Sequence, residues 1–87
     1  MKTYSIKESR WSPFSDRTRE TIYTGTIPEL TEIFSYTLMV GKSYEHERGN
    51  RKVNTEPKTI GSLIRSLNAA KDNASRGCST TSYDLAD

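Results

Sequence analysis

Basic and hydroxyl-bearing side chains near the middle of the chain are the residues best suited to chemistry. Lysine and arginine neutralise phosphate groups, and the N–H groups exposed at a helix N-terminus bind anions. The candidate binding residues are Arg48, Arg51, Lys52, Lys58, Thr59, Ser62 and Arg65. Their spacing predicts a site that grips a phosphate, a nucleic-acid backbone or an acidic protein patch. The alternative is a solvated loop and an exposed helix face, because Glu45, Glu47 and Glu56 offset much of the positive charge.

Three aromatic residues form a second set of candidates, because exposed aromatic side chains often anchor protein interfaces. They are Trp11, Tyr36 and Tyr44. Tyr36 lies off the apolar stripe of a predicted helix, so it either contacts a partner or packs at a seam between helices or subunits. Trp11 lies on the rim of a predicted hairpin, where it either belongs to a binding surface or closes the small core.

The residue types of the chain give little evidence for a catalytic site or a metal site. His46 is the only histidine, and its charged loop gives a general base neither positioning nor burial. Cys78 is the only cysteine, so a Cys/His zinc site cannot be assembled from one chain, and a predicted helix C-terminus beside it disfavours a thiolate. The five glycines are too scattered for a phosphate-binding loop. We therefore expect a non-enzymatic protein with no metal and no cofactor.

The chain as a whole is short and polar, with 87 residues, a hydrophobic fraction of 32% and a net charge of +2. This length predicts a single domain over residues 1–87 with a thin stability margin. Because one cysteine permits no internal disulfide, we expect a homo-oligomer to supply further burial. The chain lacks an apolar run of membrane-spanning length, and its first residues do not resemble a signal peptide. With the free thiol, these features predict a cytoplasmic protein without a membrane partner.

Alternating polar and apolar side chains predict the strands. Residues 2–11 form the first strand, with Tyr4 and Ile6 facing inward, and residues 21–24 form the second. The Ser/Pro/Asp-rich residues 12–16 make the turn of a hairpin between them. Residues 78–85 alternate toward Tyr83 and Leu85 and predict a short third strand.

Apolar residues at spacings of three and four predict two amphipathic helices. Residues 26–29 open the first helix with a capping box, and the helix ends, or at least frays, at Gly41. Residues 55–58 open the second helix, which runs to Ala74 with Gly77 as its C-terminal cap, and residues 42–56 form an exposed loop. The order predicts an α+β fold, ββααβ, with both helices packed on one face of an antiparallel sheet. The predicted core is Tyr4, Ile6, Ile22, Leu30, Ile33, Phe34, Leu38, Ile60, Leu63, Ile64, Leu67, Tyr83 and Leu85.

The run FSYTLMVGKSY at residues 34–44 and the run NTEPKTIGSLIRSLN at residues 54–68 resemble small accessory proteins encoded by bacteriophages. The resemblance implies a compact α+β domain that is made early in infection and works by stoichiometric binding in the host cytoplasm. Targets of that class include defence nucleases, polymerases and signalling nucleotides. We therefore expect a protein that inhibits or sequesters a host defence factor. The alternative is a nucleic-acid or nucleotide-phosphate binding module, with RNA, DNA or a nucleotide held by the basic loop and the N-terminus of the second helix.

Overall fold

The computed structural model describes residues 2–12, 14, 17–75 and 80–86. Within this part of the chain the elements are β1 (Tyr4–Ser12), β2 (Arg17–Gly25), α1 (Ile27–Ile33), α2 (Ser35–Ser43), α3 (Ile60–Ser75) and β3 (Thr81–Leu85). Only Phe34 separates α1 from α2, so the two segments form one bent helix. The predicted α+β fold with ββααβ order is confirmed.

The sheet has the order β2-β1-β3, and both pairings are antiparallel. Alternation along β1 buries Ile6 and Glu8 on the face covered by the helices, whereas Trp11 lies on the open face. Ile6 is opposite Tyr23 of β2 and Leu85 of β3. Strand β2 extends well beyond the predicted residues 21–24, because its polar half also pairs with β1. The helices pack on one face, as predicted.

The core lies between this inner face of the sheet and the helices. Phe34 is at its centre, with ring contacts to Tyr23 at 4.9 Å and to Tyr83 at 5.5 Å, both edge to face. The buried hydrophobic residues are Ile6, Leu30, Phe34, Leu38, Val53, Leu63, Leu67, Ala69, Ala70 and Tyr83. Most of the predicted core is therefore confirmed, and Val53 joins it from a segment that was predicted to be an exposed loop.

The prediction that Ile22, Ile33 and Leu85 belong to the core is wrong. Ile22, Ile33 and Leu85 are 54%, 51% and 48% exposed. Ile22 is paired with Lys7 and lies on the open face of the sheet, so Tyr23 takes the inward position. A shift of one residue along a strand reverses the face, which explains the error. Ile33 ends α1 at the bend, and Leu85 ends the edge strand β3.

The capping box that opens α1 is confirmed. The Thr26 hydroxyl accepts a hydrogen bond from the Glu29 N–H at 3.4 Å, and Glu29 Oε1 accepts one from the Thr26 N–H at 2.9 Å. The predicted helix end at Gly41 is wrong, because α2 continues to Ser43. A Cβ atom at Gly41 would overlap Cα and Cβ of Ala70, so this glycine serves the close approach of α2 and α3.

The predicted opening of the second helix at residues 55–58 is also wrong, because α3 begins at Ile60. The Thr59 hydroxyl accepts a hydrogen bond from the Ser62 N–H at 3.1 Å, and the Thr59 carbonyl accepts one from the Leu63 N–H at 3.0 Å. Thr59 therefore caps the helix. The predicted cap Gly77, Cys78 and three of the predicted hairpin-turn residues (13, 15 and 16) lie outside the described residues. Each helix in the described part of the chain is too short or too polar to cross a membrane.

Candidate functional site

Asn73 fixes the segment that carries the basic loop residues. It is 1% exposed, and its Oδ1 accepts a hydrogen bond from the Arg51 N–H at 3.0 Å. Its Nδ2 group donates to the Arg51 carbonyl at 2.7 Å and to the Gly41 carbonyl at 3.2 Å. The buried carboxamide therefore ties the segment to α3 and to α2. Sequence reasoning missed this residue, although an asparagine three positions after Ala70 on the apolar stripe is a signal for a buried amide that needs partners.

Glu45 is the second anchor of the same segment. Its Oε2 accepts a hydrogen bond from the Val53 N–H at 3.1 Å, and its Oε1 accepts one from Lys42 Nζ at 3.2 Å. Two hydrogen bonds hold the pKa of the Glu45 carboxyl below its ordinary value. The bond from the Val53 N–H has the larger effect, and the bond from the Lys42 ammonium has the next largest. One residue further on, the Ser66 hydroxyl accepts a hydrogen bond from the Asn54 N–H at 3.1 Å. Residues 51–54 are thus held against α3 by polar contacts.

A groove of about 690 Å³ lies between residues 51–54 and α3. Four of the predicted binding residues line it together, namely Arg51, Lys52, Ser62 and Arg65. Lys42 adds a further cation, and Glu45 adds a carboxylate that already accepts two hydrogen bonds. Both Lys52 and Arg65 are exposed and have no ion-pair partner among the described residues. Arg51 forms an ion pair with Asp72 on the surface.

The remaining predicted basic-site residues lie elsewhere. Arg48 lines a neighbouring depression with Asp72, and Lys58 lines a cleft beside the start of α1. The Thr59 hydroxyl is occupied as the cap of α3. The structure therefore brings the loop residues together with Ser62 in the first turn of α3 and with Arg65, whereas Lys58 and Thr59 do not line this groove. Of the three glutamates expected to offset the charge, Glu45 lines the groove, whereas Glu47 and Glu56 do not.

The three aromatic candidates differ in exposure. Tyr36 is 79% exposed, which removes the possibility that it packs at a seam between helices of the same chain. Trp11 is 45% exposed, and its backbone N–H donates a hydrogen bond to the Thr80 carbonyl at 3.0 Å. Tyr44 is partly buried at the end of α2, so its expected role as an exposed contact residue is weakened. These residues therefore do not form one aromatic surface with the groove.

A buried polar network joins β1 to β3. The Tyr83 hydroxyl donates a hydrogen bond to Glu8 Oε2 at 2.8 Å, and Arg10 Nε donates one to Glu8 Oε1 at 3.2 Å. Burial, and then the hydrogen bond to Glu8, raises the pKa of the Tyr83 hydroxyl above its ordinary value. His46 is exposed, and the described residues include no group of three or more His, Cys, Asp or Glu side chains placed to hold a metal ion. The network has the geometry of a structural contact between strands.

A scan against protein-family models, a search of curated proteins and a search of solved structures found no match to this chain. The resemblance to bacteriophage accessory proteins stays a prediction that rests on the two sequence runs. The groove beside α3 is the feature from which a function can be derived.

Proposed function

We propose that this protein acts by stoichiometric binding without catalysis, and that the groove between residues 51–54 and α3 receives phosphate groups of a nucleic acid or a nucleotide. The observation that carries the proposal is the position of Lys52 and Arg65. Both side chains line one groove, and neither has an ion-pair partner among the described residues. Unpaired cations on both walls of a groove favour an anionic ligand between them.

The other polar groups of the groove suit the same ligand. Arginine presents a planar fork of N–H donors that matches two phosphate oxygens, whereas lysine acts as a point charge. The Arg51–Asp72 ion pair is 60% and 36% exposed at its two side chains, and exposed pairs contribute only about 0–1 kcal/mol. A phosphate group can therefore compete with Asp72 for the Arg51 guanidinium. Ser62 adds a hydroxyl donor at the α3 wall.

The first prediction concerns Lys52→Ala combined with Arg65→Ala. We expect this double variant to bind labelled RNA, DNA or nucleotide more weakly than the wild type, with an unchanged melting temperature. Each phosphate contact on a duplex contributes about −0.9 to the slope of log affinity against log salt. Loss of both side chains is therefore expected to flatten the slope by roughly two units. Fluorescence anisotropy across a salt series measures both quantities.

The matched control is Arg48→Ala combined with Lys58→Ala. It also removes two positive charges, but from side chains that lie outside the groove. We expect this variant to keep most of the affinity. Equal losses in both double variants would show that the total charge matters and the groove does not. A wild-type protein that binds no RNA, DNA or nucleotide at low salt would refute the phosphate proposal.

A protein ligand is the second candidate, and it corresponds to the expected inhibition or sequestration of a host factor. The observation in its favour is a set of exposed apolar side chains on the bent helix: Ile33, Tyr36 and Met39 are 51%, 79% and 66% exposed. Aromatic anchors usually dominate protein interfaces, so Tyr36→Ala is the discriminating variant. If a protein is the ligand, Tyr36→Ala weakens binding more than the groove double variant does, and the affinity depends little on salt.

A further inference from the structure

The hairpin of β1 and β2 carries a second basic surface, which the sequence analysis did not single out. Every residue of β2 from Arg17 to Ile22 is exposed, so this part of the strand extends past the helices. The register places Arg10 opposite Arg19 and Ser12 opposite Arg17. Side chains alternate along β1, so Arg10 and Ser12 share the face of Ile6 and Glu8. The guanidinium groups of Arg10, Arg17 and Arg19 therefore lie on one face of the sheet, at two neighbouring residue pairs of that face.

This arrangement destabilises the hairpin when no ligand is bound. Like charges directly opposite each other on paired strands repel. Arg10 is compensated by Glu8, whose carboxylate lies 3.2 Å from Arg10 Nε. Neither Arg17 nor Arg19 has an ion-pair partner among the described residues. The nearby Glu20 lies on the open face of the sheet and pairs with Lys7 at 3.3 Å. An anionic ligand bound at these positions would compensate the positive charges of Arg17 and Arg19.

Two adjoining grooves follow this surface. One, of about 750 Å³, lies at the hairpin end, and the other, of about 380 Å³, lies between the sheet, α2 and α3. They share Arg10, Thr80 and Thr81, and none of the described residues that line them is an aspartate or a glutamate. Tyr36 lines the second groove, whereas Trp11 borders the first but has its side chain on the open face of the sheet. We call this continuous surface, with Arg10, Arg17, Arg19 and Tyr36, the hairpin shelf.

We infer that the hairpin shelf binds single-stranded nucleic acid. Arg17 and Arg19 contact phosphates, and Tyr36 stacks on a base. Cations beside exposed aromatic rings suit a single strand because its unpaired bases offer their faces for stacking, whereas a duplex hides them. The shelf shares no lining residue with the groove beside α3. The inference therefore goes beyond the proposed function, and either site can fail without the other.

The test measures anisotropy of short labelled RNA and DNA single strands and of the matching duplexes. The comparison is made in the Lys52→Ala, Arg65→Ala background, which removes binding in the groove beside α3, and there we expect single strands to bind more tightly than duplexes. Arg17→Ala combined with Arg19→Ala is expected to flatten the single-strand salt slope by about 1.4 units, at about 0.7 per phosphate. Tyr36→Ala is expected to weaken binding about tenfold, while Tyr36→Phe keeps a stacking surface and most of the affinity. A preference for RNA or for DNA identifies the type of strand and supports the inference in either case.

The control for charge is again Arg48→Ala combined with Lys58→Ala, and melting temperatures establish that each variant is folded. The inference is overturned if, in the Lys52→Ala, Arg65→Ala background, duplexes bind as tightly as single strands, or if Tyr36→Ala retains full affinity. It is also overturned if the Arg17/Arg19 variant and the charge control have the same salt slope. Equal competition by an acidic polypeptide such as polyglutamate would show attraction by charge alone and would overturn it too.

Discussion

Glu45 illustrates how single residues build the groove. Its two carboxylate oxygens accept hydrogen bonds from the Val53 N–H and the Lys42 ammonium, so it connects the end of α2 to the segment that carries Lys52. Asn73 completes the attachment from α3 through its three hydrogen bonds. These two residues position the binding side chains and do not themselves supply positive charge.

The pKa of Glu45 predicts how stability depends on pH. A carboxyl whose pKa is lower in the folded state stabilises the fold above its unfolded pKa of about 4.3. That contribution is lost as the pH falls below this value toward the folded pKa. We therefore expect Glu45→Gln to lower the melting temperature near neutral pH and to make its decline between about pH 5 and 3 shallower than in the wild type.

Glu47→Gln is the matched control, because Glu47 is exposed in the same loop and has no ion-pair partner among the described residues. Melting curves recorded across the acidic range provide the comparison. If the Glu45→Gln and Glu47→Gln variants have identical melting profiles, Glu45 is not an anchor of the loop.

At the residue scale, the sequence predicts the cations of the site better than the groups that position them. Arg51 and Lys52 are adjacent and lie in a polar segment, so their exposure follows from composition. Glu45 and Asn73 could not be assigned in the same way, because each has partners distant in sequence. The Arg51 N–H, for example, bonds to a side chain 22 residues away. Hairpin pairing likewise brings Arg10 and Arg19 together, and only the register reveals that contact.

At the scale of elements, the contact between α2 and α3 determines where the groove can form. Gly41 lies against Ala70, and its carbonyl accepts a hydrogen bond from Asn73. The absence of a side chain at Gly41 thus allows the two helices to approach closely. The same approach brings Lys42 and Glu45 to the loop segment beside α3.

Gly41→Ala tests this contact. In an open helical position, alanine is more stabilising than glycine by roughly 0.5–1 kcal/mol. At Gly41 the added methyl group would overlap Ala70, and overpacking typically costs about 1–3 kcal/mol. We therefore expect a lower free energy of unfolding in chemical denaturation.

Gly61→Ala is the matched control, since a Cβ atom there meets nothing within 4 Å. It lies in the first turn of α3, and we expect it to leave stability unchanged or to raise it. A Gly41→Ala variant that is as stable as Gly61→Ala would contradict the close packing of α2 on α3.

Element types and order could be predicted because they depend on local patterns. The capping box at Thr26 and Glu29 is one example, since both partners lie within four residues. Two boundaries were wrong because tertiary contacts decide them. Gly41 continues the helix because it packs on Ala70, and Thr59 caps α3 although Pro57 offered an earlier start. The bend at Phe34 also depends on distant partners, the rings of Tyr23 and Tyr83.

At the scale of the whole molecule, a modest net charge of +2 conceals an uneven distribution. Basic side chains gather in the groove beside α3 and on the hairpin shelf, while several carboxylates act as anchors or caps. Helices cover one face of the sheet, and the opposite face carries Ile22 at 54% exposure and Trp11 at 45%. Self-association, which was expected to supply further burial, stays a prediction.

The central claim is that phosphate groups bind beside α3, and an amide NMR titration of isotope-labelled protein with inorganic triphosphate tests it most directly. The probe carries no base, so it separates phosphate recognition from stacking on the hairpin shelf. We predict saturable shifts concentrated at residues 51–54 and 62–66, which are lost in the Lys52→Ala, Arg65→Ala variant and kept in the Arg48→Ala, Lys58→Ala variant. An absence of shifts in these two segments, at low salt and excess triphosphate, would contradict the account.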